Sequence, residues 1–399
     1  LGLAATLRDP QPGFEVQRWR LLDLLEAGDL AAFDRELDEY RRRAEDVRLP
    51  TYLWHSKLTQ TLRVLLAGHW DEGAHRACEL MAAKPDGWAS PRGQCYMIQV
   101  FVVWREHGRI AELDAPFKAL ARHYPAMPIW RCALAVVRME QGLDAWVRTL
   151  IAPLAAGGFA DLPRDGNYIP ALALLAECAH WIGEARWAAM LYPLLEPFAD
   201  RVVISGPSAS CAGAAARYLG LLAETLGRHD DALRHYEAAL ALNERIASRP
   251  YVAYTRCDQA RVLLARGDGA AARPLLDAAR RTAVELEMPR LRALVDALAA
   301  AAPAAAKPPP PSVDPVRAVL KRDGVSDTPE KAREYVHAII GEHAPADRID
   351  AYIDRGPEAL DFLLEHAPLD LEWVKNYSDY YPEAPGGRLG GRSIEPRPF

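Results

Sequence analysis

Residues Arg217–Pro250, RYLGLLAETLGRHDDALRHYEAALALNERIASRP, hold two helical patterns joined by a polar turn. Leu219, Leu222, Ala223 and Leu226 recur at i, i+3, i+4, i+7 and draw one apolar helix face. Gly227 ends that helix, because glycine takes the left-handed conformation that closes a helix C-terminus. Arg228-His229-Asp230 makes the turn. A second helix then presents Leu233, Tyr236 and Leu240, with small Ala232 and Ala239 where its neighbour must come close.

The layout returns downstream, where Ala260, Leu263 and Leu264 precede Gly267 and Ala272, Leu275, Leu276 and Ala279 follow it. Upstream, turn glycines stand at Gly28, Gly68, Gly108, Gly142 and Gly183. Along the whole series the steps are 40, 40, 34, 41, 44 and 40 residues. A period in this range means stacked helix pairs, none of which can bury its apolar face alone. The sequence therefore predicts an all-α fold: a right-handed α-solenoid of about seven antiparallel helix pairs over residues 1–302.

Gly267-Asp268-Gly269-Ala270-Ala271-Ala272 also fits a loose dinucleotide fingerprint. That fingerprint must follow a strand and open a helix, and this one lies between two amphipathic helices, so it reads as a turn. His69 and His75, like His229 and His235, are six residues apart, which puts their rings on different helix faces and argues against a metal site. Nine of the ten tryptophans fall between Trp19 and Trp187, where they are expected to fill gaps between neighbouring pairs.

A chain of 399 residues, 50% hydrophobic and 26% charged, is of ordinary globular composition and long enough for more than one structural unit. Its net charge of −6 argues against nucleic-acid binding, since a phosphate backbone selects a basic face. The basic run Arg41–Arg43 is followed by Glu45 and Asp46 and reads as a solvated helix face. The six cysteines, Cys78, Cys95, Cys132, Cys178, Cys211 and Cys257, are irregularly spaced. They read as buried free thiols of a reducing cytoplasm rather than metal ligands or redox pairs. The most apolar stretch, Ile169–Gly183, is short and carries Glu177, so no membrane span is expected. The start at Leu1 without methionine and the unclosed end point to a fragment of something larger.

The Pro/Ala-rich stretch 303–315, with four prolines at Pro308–Pro311, reads as a stiff linker or the mark of a fused reading frame. Beyond it, Thr328-Pro329-Glu330 is a helix start: a capping hydroxyl, then proline at the first helical position. Ala332, Tyr335, Val336, Ile339 and Ile340 supply that helix's face. Residues 347–354 and 357–366 read as two more short helices, and after Pro368 the chain is expected to form loops.

Two resemblances bear on function. Around Leu219-Gly220…Gly227…Ala232…Tyr236…Ala239 the unit resembles the tetratricopeptide pattern. Residues 14–298 are similar to the helical-repeat arm of bacterial ATP-dependent regulators, which implies a sensor that binds a partner or ligand; no GxxxxGK[ST] phosphate loop accompanies it. GVSDTPEKAREYVHAIIG, RIDAYIDRGPEALDFLLEHAPL and YSDYYPEAPGGRLGGRSIEPRPF, within residues 315–399, resemble FAD-dependent 3-ketosteroid 1-dehydrogenases and fumarate-reductase-like flavoproteins. That resemblance implies FAD chemistry. It assigns Tyr380, with Tyr381 as second choice, to proton transfer during hydride loss to the flavin, and Gly386, Gly387, Gly390 and Gly391 to a close approach to cofactor or substrate. The slice lacks the family's strand-borne GxGxxG, so no cofactor is expected for this chain alone.

The expected function is a non-catalytic interaction or regulatory solenoid, with a protein or peptide partner on its surface, joined to an incomplete flavoenzyme segment 316–399. The alternatives are a piece of a 3-oxosteroid 1-dehydrogenase-like oxidoreductase, or a chimera of two partial genes.

Overall fold

The computed structural model describes residues 11–82, 87, 89–301, 328–340, 346–351, 353–355, 371–373, 385 and 394–396. The chain divides into two compact units, Leu1–Ala305 and Ala306–Phe399.

The first unit is an all-α helical repeat. Its pairs are α1 (Gln11–Glu26) with α2 (Leu30–Val47), α3 (Pro50–Ala67) with α4 (Trp70–Ala82), and α5 (Pro91–Glu106) with α6 (Asp114–His123). They continue as α7 (Ile129–Glu140) with α8 (Asp144–Ala156), and α9 (Tyr168–Ile182) with α10 (Ala185–Leu195). The last are α11 (Ala215–Thr225) with α12 (His229–Arg245), and α13 (Arg249–Ala265) with α14 (Gly269–Glu285), followed by a single helix α15 (Pro289–Ala301). Each of the seven turn glycines lies at the intra-pair turn with φ between +69° and +91°, the left-handed region that side-chain-bearing residues avoid. Asp268 is the cap of α14, its Oδ1 accepting from Ala271 N at 3.0 Å, so the loose fingerprint there is a helix–helix turn.

The first helix of a pair is buried nearly all round, as α7, α9 and α11 show; the second is amphipathic and buries one stripe, as Ala232, Tyr236 and Ala239 do in α12. Gly220 exists for that packing: a Cβ there would stand 2.3 Å from the Tyr236 ring. Tyr236 fills the space and donates its hydroxyl to Glu224 at 3.0 Å.

Two features depart from a plain linear solenoid. Residues 202–214 form a β-hairpin, β1 (Val202–Ser205) antiparallel to β2 (Ser210–Ala214), with a bulge between Val202 and Ile204. The β-branched run Val202-Val203-Ile204 favours strand and Gly206-Pro207 a turn; the small residues Ser210–Ala214 have no strand preference of their own and pair as its partner. The hairpin lies within the longest glycine step, between Gly183 and Gly227.

The array also winds back on itself. Arg245 of α12 donates to the Ala27 carbonyl at 3.0 Å, and Leu242 of α12 packs against Gly28. Gly68 meets Pro250 and Leu286, and α5 contacts α15. Pair one therefore lies on pair six, pair two on pair seven, and pair three on α15. One apolar core joins α1–α3, the hairpin and α12: Phe14, Leu37, Tyr40, Val202, Ile204 and Leu242 belong to it.

Trp54, Trp70, Trp130 and Trp187 are buried in these cores, whereas Trp19, Trp146 and Trp181 are more than half exposed. Five cysteines are buried free thiols; Cys78 is exposed. Among the described residues no helix is long and apolar enough to cross a membrane.

In the second unit, α16 (Pro329–Ile340) begins where the Thr-Pro-Glu signal places it, with Thr328 Oγ1 accepting from Lys331 N at 3.3 Å. Residues 346–351 and 353–355 are helical. Asp350 joins this helix to α16, at 2.9 Å from His337 Nε2 and 3.1 Å from Arg333 Nε. Beyond Pro368, where loops are expected, β3 (Leu371–Trp373) pairs antiparallel with β4 (Ile394–Pro396), since two three-residue segments 20 or more residues apart complete each other's backbone hydrogen bonds.

Candidate functional site

The first helices of pairs three to seven, α5, α7, α9, α11 and α13, surround one central space, and the hairpin lies among them. Three buried polar side chains pin it. Gln99 of α5 donates to the Ala209 carbonyl at 3.1 Å, Tyr218 of α11 donates to the Ala212 carbonyl at 2.8 Å, and Asn243 of α12 accepts from Ala214 N at 2.9 Å. Asn243 Nδ2 reaches Thr255 Oγ1 at 3.3 Å, so one amide ties hairpin, α12 and α13 together.

Between the hairpin and the helices remains a cavity of about 310 Å3. Ile98, Phe101 and Val102 of α5 form one wall, Ile129, Trp130 and Ala133 of α7 a second, and Pro170, Ala173 and Leu174 of α9 a third. Val203, Gly206 and Pro207 close it from the hairpin side, and Tyr218 and Tyr251 from α11 and α13. The lining is mainly aliphatic and aromatic, with few polar groups, which is the composition of small-molecule sites.

One end of the cavity is charged. Arg105 and Glu177 line it, 2.7 Å apart. They belong to a buried network that runs across the axis. Arg105 also pairs with Glu140 at 2.7 Å; Arg217 pairs with Glu177 at 3.3 Å and with Asp258 at 2.7 Å. Arg261 bridges Asp258, at 2.9 Å, and Glu224, at 2.7 Å. Arg290 of α15 reaches Glu140 at 2.9 Å and donates to the Tyr254 hydroxyl at 2.7 Å; that hydroxyl donates to Glu106 at 2.8 Å.

Burial alone would raise the Glu140 carboxyl, but the Arg105 and Arg290 guanidiniums outweigh it and hold it at about 2. For Glu106 burial wins over the pull of Arg290, and its carboxyl lies above the usual range. The four guanidiniums Arg105, Arg217, Arg261 and Arg290 are thus interleaved with the carboxyl groups of Glu106, Glu140, Glu177, Glu224 and Asp258. A second cavity of about 360 Å3 lies against the same network, lined by Met139, His180, Leu221, Cys257 and Leu298 among others. Arg105, Glu177, Arg217, Tyr254 and Arg290 all border it, so the charged layer divides the axial space.

Burial pushes the thiols of Cys95, Cys132, Cys211 and Cys257 up to about 12, which leaves them as packing groups rather than nucleophiles. His235 pairs with the Tyr192 hydroxyl at 2.7 Å, and exposed His75 with Glu79 at 3.3 Å.

Tyr380, Tyr381, Gly386, Gly387, Gly390 and Gly391 lie outside the described residues. The described elements of their unit are two helical segments and a two-stranded antiparallel ladder. A flavin pyrophosphate cradle needs a strand, a glycine turn and a helix in succession. These elements do not supply that order, and no step through FAD is derived from them. Sequence reading did not find the axial cavity: its lining comes from residues up to 160 positions apart. The one available signal was the Val202–Ala214 stretch that interrupts the helical period.

No known protein family's profile matches the chain, and no solved structure matches it. Over 85 residues it is 67% identical to the 3-oxosteroid 1-dehydrogenase of Mycobacterium tuberculosis H37Rv, which is 21% of this chain and 15% of that protein. The 3-oxosteroid 1-dehydrogenase of Mycolicibacterium smegmatis is 64% identical over the same length and shares. A 4-oxocyclohex-2-ene-1-carboxylate 5-dehydrogenase of Sinomonas cyclohexanicum is 34% identical over 71 residues, 18% of this chain and 12% of that enzyme. The chain thus spans about 15% of the length of the first two relatives. The match has the length of the segment Pro315–Phe399 that resembles such enzymes. The likeness of residues 14–298 to a regulator's arm has no counterpart among these proteins.

Proposed function

We propose that residues 11–301 form a non-catalytic, ligand-responsive binding module of regulatory type. The observation that carries this reading is the axial cavity of about 310 Å3, walled jointly by α5, α7, α9, the hairpin, α11 and α13. A ligand there contacts the third to the seventh pairs and the hairpin together, so occupancy biases how these elements pack. A protein or peptide partner would read that state on the outer surface, since the hairpin fills the axial side. A thermal-shift screen of the full chain against a chemically diverse set of small compounds tests the proposal. Saturable stabilisation that is lost in Ala173→Phe, which fills the cavity, is the expected result. A screen in which no compound stabilises the chain refutes it.

The 64–67% identity to 3-oxosteroid 1-dehydrogenases favours a second reading for the remaining segment: part of an FAD-dependent oxidoreductase, with Tyr380 assisting proton transfer and Tyr381 beside it. A tyrosine phenol, with an ordinary pKa near 10, needs a dry pocket and a charge partner for that role. The chain alone is expected to bind no FAD. Retention of the visible flavin band after gel filtration with added FAD would reverse that expectation.

A further inference from the structure

We infer that the axial cavity takes a neutral two-ring compound bearing one carbonyl group, whose oxygen accepts a hydrogen bond from the Tyr251 hydroxyl. This rests on the binding-module reading above and names the ligand class for it.

Size comes first. An apolar protein cavity of about 150 Å3 accommodates one benzene ring. The 310 Å3 here therefore takes a body of two fused or linked rings, and the four-ring skeleton of a steroid exceeds it. The walls match flat rings: Phe101 and Phe117 stack at 5.6 Å, and Trp130 meets Phe117 edge-on at 5.6 Å.

Charge comes second. The ionised groups on the lining are Arg105 and Glu177. Arg105 is held between Glu140 and Glu177, each at 2.7 Å, and Glu177 also faces Arg217 at 3.3 Å. Both charges are therefore already neutralised by protein partners. A charged ligand would have to break these pairs or enter unpaired, and burying an unpaired charge is strongly unfavourable.

The polar anchor comes third. Tyr218, also on the lining, has committed its hydroxyl to the Ala212 carbonyl, and Gln94 donates to the Ala89 carbonyl at 3.2 Å. The Tyr251 hydroxyl makes no hydrogen bond to a described residue, and Tyr251, half-buried, borders the cavity. Burial keeps this phenol protonated. It therefore presents an unused O–H donor to an apolar space, and the complementary group is an acceptor that brings no donor of its own. A carbonyl oxygen meets that condition.

The experiment is calorimetric titration of the full chain with α-tetralone, naphthalene, naphthoate and androstenedione. These share a ring system or a carbonyl but differ in acceptor, charge or size. α-Tetralone is expected to bind at one site. Naphthalene, lacking the acceptor, and naphthoate, carrying a charge, should each bind roughly tenfold more weakly or worse. Tyr251→Phe keeps the ring that fills the space beside Gly213 and should weaken α-tetralone, but not naphthalene, by a similar factor. Ala173→Phe should abolish both. Androstenedione binding as tightly as α-tetralone, naphthoate binding more tightly, or an unchanged α-tetralone affinity in Tyr251→Phe would each overturn the inference. If none of the four binds while the diverse screen finds a stabilising compound, this ligand class is wrong and the binding module stands. If both are silent, the module reading falls with it.

Discussion

Gly213→Ala is expected to be far more damaging than Gly183→Ala, although both glycines have nearly the same backbone. Their φ angles are +71° and +69°. Placing alanine in that region costs about 1–2 kcal/mol at either site. At Gly183 a Cβ meets nothing within 4 Å, so the conformational cost is all there is. At Gly213 it would stand 2.6 Å from Tyr251 Cγ, 2.7 Å from Tyr251 Cβ and 2.9 Å from Asn243 Oδ1. Carbon atoms pack at about 3.5–4.0 Å, and Tyr251 Cβ is fixed to the α13 backbone, so the ring cannot swing clear. Overpacking of this kind costs roughly 1–3 kcal/mol. Displacing Asn243 Oδ1 from Ala214 N leaves a buried donor unpaired, for about 1–3 kcal/mol more. The expected loss is therefore about 3–8 kcal/mol for Gly213→Ala and about 1–2 kcal/mol for Gly183→Ala, against a domain stability of roughly 5–15 kcal/mol. Urea unfolding followed by far-ultraviolet circular dichroism measures both. Equal losses, within about 0.5 kcal/mol, would refute the close approach of the hairpin to α13.

Four further outcomes follow from the burial of particular groups. Arg217→Met leaves Glu177 and Asp258 without their shared cation and should cost about 3–5 kcal/mol in urea unfolding, whereas Arg217→Met combined with Asp258→Leu should recover part of that loss. Because the Glu140 carboxyl is depressed to about 2 in the folded state, the stability it contributes is present above its unfolded value near 4.5 and lost as pH falls from there towards 2. Melts of the wild type and Glu140→Gln should therefore converge as pH falls through that window. Glu106 acts with the opposite sign: its raised carboxyl favours the fold at low pH, and this contribution fades as pH rises through its folded value, so Glu106→Gln should flatten the pH profile on that side. In a native thiol titration with a disulfide reagent, Cys78 should react at once and the other five only in denaturant; fast reaction of a second thiol would contradict their burial.

The repeat was legible because its signals are local. Each turn needs a residue at positive φ, and the seven glycines that mark the period occupy those turns. The 3.6-residue pattern that predicts α12 survives because Ala232, Tyr236 and Ala239 all face one neighbour. The hairpin was not legible: thirteen residues of small and β-branched character sit inside a helical period and resemble a long loop. The winding was not legible either. Nothing near Gly28 shows that Arg245 lies on it, and nothing near Glu140 shows that Arg290, 150 residues on, is its partner. In the second unit the capped start of α16 could be read from Thr328 and Pro329, while the β3–β4 pairing depends on two segments distant in sequence.

In a linear repeat array each unit leans only on its neighbours, so an end can fray while the middle holds, and stability grows by nearly equal increments. The contact of Arg245 and Leu242 with the turn at Gly28 removes that freedom. The first pair is not an end in the mechanical sense, because it is backed by the sixth. Melting should then be all-or-none across α1–α15, with amide exchange at the first and last turns as slow as in the centre. Folding must also close a loop of more than 200 residues before the hairpin's core is complete, which makes this module a slow folder for a helical protein.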